Sequence, residues 1–387
     1  MKIVFVSNYF NHHQKPFCEE LHRRFGADFT FVSTTVMREE RKKLGYAQND
    51  LPDYVLLSYE NEQKKKEAAL LIREADAVIA GSAPEHMLRE RIRSGKLLLR
   101  YGERPFKKEI SFARRVYHAF NLRKKNLFKR NIYMLCAGAY SAGDYASIGM
   151  YKNRMYKWGY FPAVKEYDID ELMSNKKCNV LMWCGRFIDW KHLDDAIRLA
   201  CKLKENGYEF RLNMVGTGVM EDELKHMVKE CGLEDSVYFL GSMPTEQVRT
   251  HMEEAGIYLF TSDRKEGWGA VLNESMNSGC AVVASHAIGS VPYLLKNNEN
   301  GCIYESENVN MMYEKVKFLL EHPEEQERLG RAAYQTVTSE WNARIAVQRL
   351  LELIDRLLQK EKYPDVYEDG PCSRAELLNG NWFKEDC

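Results

Sequence analysis

Glu266 and Glu274 stand eight residues apart on either side of a glycine-containing turn in FTSDRKEGWGAVLNESMNSGCAVVASH (260–286). The apolar run ending at Phe260 predicts a buried strand. The run after Ala270 predicts a helix with Glu274 in its second turn. Gly267 and Gly269 let backbone N–H groups approach an anion closely, and the helix dipole favours negative charge there. A carboxylate on each side accepts hydrogen bonds from hydroxyls. The pattern suits a sugar joined to a diphosphate joined to a ribose. Without such a ligand it is two surface glutamates around a helix start.

The elements that must hold this segment alternate along the whole chain. Strands are predicted at 2–7, 29–33, 54–57, 77–80 and 96–100, with helices at 14–25 and 62–75. After a charged stretch at 163–177, strands recur at 179–184, 210–215, 237–240, 257–260, 281–284 and 302–304. Helices fill the gaps at 193–206, 220–231, 246–255, 271–278 and 311–321. Apolar strands alternating with helices predict parallel sheets covered on both faces, an α/β chain of doubly wound domains. A long amphipathic helix is expected at 343–360. Residues 362–387 fall outside the pattern.

Composition narrows the classes. The 387 residues are 45% hydrophobic and 29% charged, which suits globular domains and excludes disorder as the main state. Lys plus Arg and Asp plus Glu both number 56, so net charge gives no global case for nucleic acid. No apolar run reaches the roughly 20 residues of a membrane span. The start MKIVFVSNYF reads as a strand rather than a signal peptide. The ten cysteines form no CxxC and no zinc spacing, which predicts reduced thiols and a cytoplasmic location.

Charge is uneven along the chain. From Arg89 to Arg130 there are 15 Lys or Arg against three acids, a local charge of +12. Phe106, Phe112, Val116, Tyr117 and Phe120 interleave with them. This is the pattern of a basic amphipathic face at an anionic membrane, or of a solvated helix.

EGWGAVLNE (266–274), followed by SGCAVVAS and IGSVP, resembles the E-x7-E region of retaining glycosyltransferases of family 4, the group 1 glycosyl transferases. CGRFIDWK (184–191), VGTGVMEDEL (215–224) and VYFLGSMPTEQV (237–248) match in the family's order. The resemblance implies a GT-B fold, two Rossmann-like domains facing across a cleft. The boundaries expected are 1–162 plus the tail 342–387 for the acceptor side and 163–341 for the nucleotide sugar. Arg186 and Lys191 are then implied to bind the donor diphosphate, Glu266 the sugar hydroxyls and Glu274 the ribose. Backbone groups of Gly267, Trp268, Gly269, Ala270 and Val271 are implied to hold sugar and phosphate. Gly216 and Gly218 would leave room for the nucleotide, and Ser242 and Met243 would border the base.

The chain departs from the family at several places. Asn8 to His13 replaces a pair of glycines, leaving His12 and His13 as acceptor-side candidates. LLLRYGERPF offers Glu103 and Arg104, with His118 further on. The family's Gly-Gly-x-Pro-Glu is Gly289-Ser290-Val291-Pro292-Tyr293 here. Asp168-Ile169-Asp170 spells the metal motif of another glycosyltransferase fold but lies in the expected linker, so neither metal nor other cofactor is expected. The implied function is transfer of a sugar from a nucleotide sugar, UDP favoured, to a glycan or lipid-linked acceptor with retention. The implied site is the cytoplasm, with peripheral attachment at the inner face of the membrane. A silent nucleotide-sugar-binding scaffold and a nucleotide-sugar epimerase are the alternatives.

Overall fold

The computed structural model describes residues 1–37, 50–108, 110–126 and 131–385. They divide into two compact units. One comprises Met1–Ala163 and Trp341–Asn379, the other Val164–Glu340 and the tail from Gly380 onward.

The first unit runs β1 (Ile3–Ser7), α1 (Lys15–Phe25), β2 (Phe29–Ser33), β3 (Val55–Leu57), α2 (Glu62–Glu74), β4 (Ala77–Ala80), α3 (Glu85–Ser94), β5 (Leu98–Gly102), α4 (Phe112–Lys125), β6 (Ile132–Ala137), α5 (Tyr140–Ser147) and β7 (Met155–Trp158). The described strands form one parallel sheet in the order β3-β2-β1-β4-β5-β6-β7. Every residue of β1, β4 and β6 is buried, so these strands show no polar face and require helices on both sides. Local signals set the helix ends. Asn61 caps α2 by accepting from the Lys64 N–H (2.9 Å), and Gly95 ends α3 with φ +72°. Arg91 is fully buried and donates to the carbonyls of Ala75, Asp76 and Leu97, which offsets the cost of taking its charge out of water. Burial still pushes its guanidinium down to about 10.

The second unit runs α6 (Ile169–Ser174), β8 (Lys177–Cys184), α7 (Leu193–Glu205), β9 (Arg211–Val215), α8 (Glu221–Glu230), β10 (Val237–Gly241), α9 (Thr245–Glu254), β11 (Ala255–Phe260), α10 (Val271–Asn277), β12 (Ala281–Ser285), α11 (Val291–Leu294), β13 (Cys302–Tyr304), α12 (Val309–Glu321) and α13 (Pro323–Ser339). Its sheet is again parallel, in the order β10-β9-β8-β11-β12-β13. Trp183, Leu212, Met214, Ile257, Leu259 and Val283 join Leu199 and Leu203 of α7 in its core. Each such side chain contributes about 1.5–3 kcal/mol by leaving water. The strand order reverses between β8 and β11. Their carboxyl ends are therefore the switch point where open α/β sheets bind ligands.

The charged stretch expected as a linker contains α6. Asp168 caps it, accepting from the N–H groups of Asp170 (3.0 Å) and Glu171 (3.1 Å), so the D-x-D pair opens a helix. Among the described residues no three His, Cys, Asp or Glu side chains gather to hold a metal ion.

Two expectations about the tail and the cysteines need correction. Helix α14 (Ala343–Leu358) packs on α1 with Val347, Leu350, Leu353, Ile354 and Leu357 inward, and Trp341 stacks on Phe161. Beyond it, Cys372 to Ala375 run along the edge strand β7. Backbone bonds join Lys157 to Cys372 and Ser373, and Lys157 Nζ reaches Asp369 and Glu376. This covers a sheet edge that would otherwise be open. From Gly380 the tail instead joins the second unit, where His286 meets the Gly380 carbonyl (3.1 Å) and stacks on Phe383. The whole tail is thus not a first-unit element. Cys201 of α7 and Cys231 after α8 are bonded to each other, with Cα atoms 5.9 Å apart. The two helices lie side by side, so reduced thiols hold only for the other described cysteines.

Candidate functional site

The loops leaving β8 and β11 meet at the switch point of the second sheet. The Lys191 backbone carbonyl accepts from Thr261 Oγ1 (2.6 Å), which itself accepts from Trp183 Nε1 (2.9 Å). The Asp263 N–H donates to the Trp190 carbonyl (3.0 Å). These bonds fix Lys191 beside the turn that carries Glu266. Lys191 Nζ forms a hydrogen-bonded ion pair with Glu266 Oε2, and both side chains are nearly buried. Ser262 Oγ also donates to that oxygen (3.3 Å). The ammonium lies over the Trp190 ring, 4.8 Å from its centroid. Arg186, at the start of the same loop, is exposed and forms no ion pair among the described residues.

The turn itself is held from behind. Trp268 is completely buried and donates from Nε1 to Asn273 Oδ1 (2.9 Å). Its backbone carbonyl accepts from Ser290 Oγ (2.6 Å), and the Gly289 N–H donates to the Glu266 carbonyl (3.1 Å). The IGSVP loop therefore positions the EGWGAV turn. With the Trp268 side chain in the core, only its backbone can face a ligand. The amides of Gly269 and Ala270 donate to no acceptor among the described residues. Val271 opens α10, and Glu274 lies in its first turn rather than its second.

Glu274 is partly buried and its carboxylate accepts no hydrogen bond from the described residues. Burial pushes its pKa up to about 6, and the nearby Arg249 guanidinium opposes that only in part. Arg249 escapes a reading of the sequence. It is buried on α9, donates to the Glu274 carbonyl (2.9 Å) and bonds Asn277. The available signal is a charged residue sharing the buried face of a helix with Met252.

Gly216 and Gly218 answer a packing demand. A Cβ on Gly216 would run into the Gly185 carbonyl, and one on Gly218 into the Phe187 carbonyl; Gly216 also has φ +134°. The β8 and β9 loops close on each other there, with Phe187 N–H donating to the Thr217 carbonyl (2.9 Å). Gly216 N–H donates to Gly241 (2.9 Å), which places Ser242, exposed, and Met243, half-buried, beside the same loops.

Of the first-unit candidates, three come together. His12 and His13 lie 3.9 Å apart between ring centroids, and His13 stacks on Tyr160. Tyr160 donates its hydroxyl to Glu103 Oε1 (2.7 Å), and Lys107 pairs with Oε2. Burial lowers the pKa of both imidazoles, that of His13 to about 3 with help from His12, so both are neutral at pH 7. Arg104 is not free for a ligand: it forks onto Asp144 (3.2 and 3.0 Å) and lies over Tyr140. His118 packs on Phe106 and Tyr117 of its own neighbourhood, and no contact among the described residues ties it to this group.

Residues 164–336 match the family model of glycosyl transferases group 1. The amylovoran biosynthesis glycosyltransferase AmsK of Erwinia amylovora is 29% identical over 178 residues, 45% of this chain and 44% of its own. The N-acetylgalactosamine-N,N'-diacetylbacillosaminyl-diphospho-undecaprenol 4-alpha-N-acetylgalactosaminyltransferase of Campylobacter jejuni is 31% identical over 145 residues, 38% of each chain. The match thus spans less than half the length of these relatives. Among solved structures, Anabaena Alr3699/HepE in complex with UDP superposes with TM-score 0.66 at 16% identity, covering 92% of this chain and 100% of that one. A glycosyltransferase from Rickettsia africae gives 0.59 at 15% identity, over 93% and 99%. The two-unit α/β fold is accordingly of the GT-B type, and residues 164–336 of the chain are similar to the glycosyl transferases group 1.

Proposed function

We propose that this protein is a retaining, family 4 glycosyltransferase that moves a sugar from a nucleotide sugar to a glycan or lipid-linked acceptor in polysaccharide or glycoconjugate synthesis. The observation that carries the reading is the Lys191–Glu266 ion pair at the switch point of the second sheet, where Lys191 and Glu274 both act electrostatically on Cys184 at the end of β8. Glu274 takes the ribose hydroxyls, for which its unbonded carboxylate is suited. Glu266 takes the hydroxyls of the donor sugar. Arg186 and Lys191 hold the diphosphate, and their charge is why no metal or other cofactor is needed. The acceptor hydroxyl forms its bond to the anomeric carbon on the face the diphosphate leaves. The broken bond's electron pair departs with the diphosphate, which also takes the acceptor's proton.

UDP is the favoured carrier, in keeping with the UDP bound by the Anabaena neighbour. The name of the Campylobacter relative specifies an alpha product and a diphospho-undecaprenol acceptor, which support retention and a lipid-linked acceptor here. His12, His13, Tyr160 and Glu103 are assigned to acceptor hydroxyls. The reading places the enzyme in the cytoplasm with its basic segment toward the membrane. No described helix is long and apolar enough to cross a bilayer.

The test is release of nucleoside diphosphate from a panel of UDP, GDP and ADP sugars, with and without polyprenyl-diphosphate glycans. Acceptor-dependent release with an axial product by NMR supports the reading. Binding of a nucleotide sugar without turnover on any acceptor tried refutes transfer and leaves a scaffold.

A further inference from the structure

Helix α4 holds an unusual surface. Its Phe112, Val116, Tyr117 and Phe120 are 81%, 54%, 64% and 60% exposed, whereas the other exposed large apolar side chains are scattered over the chain. Residues 112, 116 and 120 recur every four positions and so share one stripe of the helix. The helix rests on the rest of the unit through Ala119 and the partly buried Leu122. Its sequence FARRVYHAFNLRKK contains no acid. Lys125 approaches Glu85 (4.0 Å) and Arg123 donates to the Gly149 carbonyl (3.4 Å). Arg114, Arg115 and Lys124 are exposed and form no ion pair among the described residues. Residues 109 and 127–130 of the basic segment lie outside the described residues.

A stripe of large apolar side chains facing water costs free energy unless something covers it. Other exposed positions of the same helix offer guanidinium and ammonium groups. Nucleic acid would meet the cations but leave the apolar stripe uncovered. A bilayer with anionic headgroups supplies both complements at two depths, phosphate at the surface and hydrocarbon about 5–10 Å beneath it. The helix is 14 residues and about 21 Å long, enough for an in-plane anchor and too short to span.

We propose that α4 lies in the surface of an anionic membrane, with Phe112, Val116 and Phe120 entering the acyl boundary, Arg115 and Lys124 flanking them at the headgroups, and Arg114 adding to the attraction from farther off. This sharpens the membrane side of the proposed function to one helix and one mode, insertion as well as attraction. It depends on α4 alone, so loss of docking and loss of donor binding are separate results.

The experiment is co-sedimentation of the full chain with vesicles of phosphatidylglycerol and phosphatidylcholine, and of phosphatidylcholine alone, with UDP-sugar binding measured in parallel. The wild type binds the anionic vesicles at least tenfold more tightly than the neutral ones. Phe112→Ser/Val116→Ser/Phe120→Ser and Arg114→Glu/Arg115→Glu/Lys124→Glu each weaken this at least tenfold. Both leave the circular dichroism and donor binding unchanged, because the altered side chains are exposed. High salt releases only part of the wild type. A wild type that stays in the supernatant at low salt overturns the proposal. So does an apolar-stripe variant that binds like the wild type, or a wild type that prefers an RNA oligomer to the vesicles.

Discussion

Lys191 and Glu266 hold each other across the loops that leave β8 and β11, the adjacent strands at the switch point of the second sheet. Both belong to the proposed donor site, so each occupies the other before a donor arrives. A diphosphate that takes Lys191 must replace the Glu266 carboxylate. Glu266 is thereby released toward the sugar hydroxyls.

The first prediction follows from that exchange. Glu266→Gln removes the internal competitor for Lys191 while keeping the shape of the turn. Free UDP should bind about tenfold more tightly, since a charge-assisted hydrogen bond is worth about 1.5–3 kcal/mol. Sugar transfer should fall. Calorimetry with free UDP checks this, and unchanged or weaker binding counts against the exchange.

Arg186 and Lys191 should matter most when charge grows on the leaving diphosphate. Substituting either with alanine is expected to lower turnover about 10²–10³-fold at saturating donor. Near-normal turnover in either variant removes that residue from the role.

Glu274 gives a pH signature. Its folded-state pKa of about 6 lies above the usual 4.5, so its ionised form is disfavoured in the fold. The resulting destabilisation is absent below about pH 4.5, appears as pH rises through 6 and is complete above it. Glu274→Gln should therefore raise the melting temperature at pH 8 and lose that advantage at pH 4.5, by on the order of 1–2 kcal/mol. Nucleotide binding should show the converse, strengthening in the wild type as pH rises through 6 and staying flat in the variant. Equal melting shifts at both pH values contradict the assignment.

Gly216 should be irreplaceable for packing reasons. Gly216→Ala combines a positive φ with a clash against the Gly185 carbonyl and should cost about 2 kcal/mol or more. Gly207→Ala, at φ +79° but with open space, should cost only about 1 kcal/mol. Urea melts of the two variants decide it, and similar losses contradict the loop contact.

Much of the linear order of strands and helices was legible because each element carries its own period and its own turn residues, although β6, β7, α3, α5 and α13 were not read. The run EGWGAVLNE was legible for the same reason, since strand end, turn and helix are contiguous. What escaped the sequence depends on strand order. Lys191 and Glu266 are 75 positions apart and meet only because β8 and β11 are neighbours. Cys201 and Cys231 pair only because α7 and α8 lie side by side. Arg104 looked available for an acceptor, but Asp144, 40 positions later, takes both arms of its fork. The glycines at 216 and 218 suggested space for a ligand, and the structure adds that a neighbouring backbone packs against each.

The most direct measurement is a calorimetric titration of the intact chain with UDP, GDP and ADP sugars, repeated with Glu274→Ala. The account predicts that at least one nucleotide sugar binds at a single site, and that the variant binds it at least tenfold more weakly. No binding of any nucleotide sugar, or binding indifferent to the loss of Glu274, would contradict a donor site at the β8–β11 switch point.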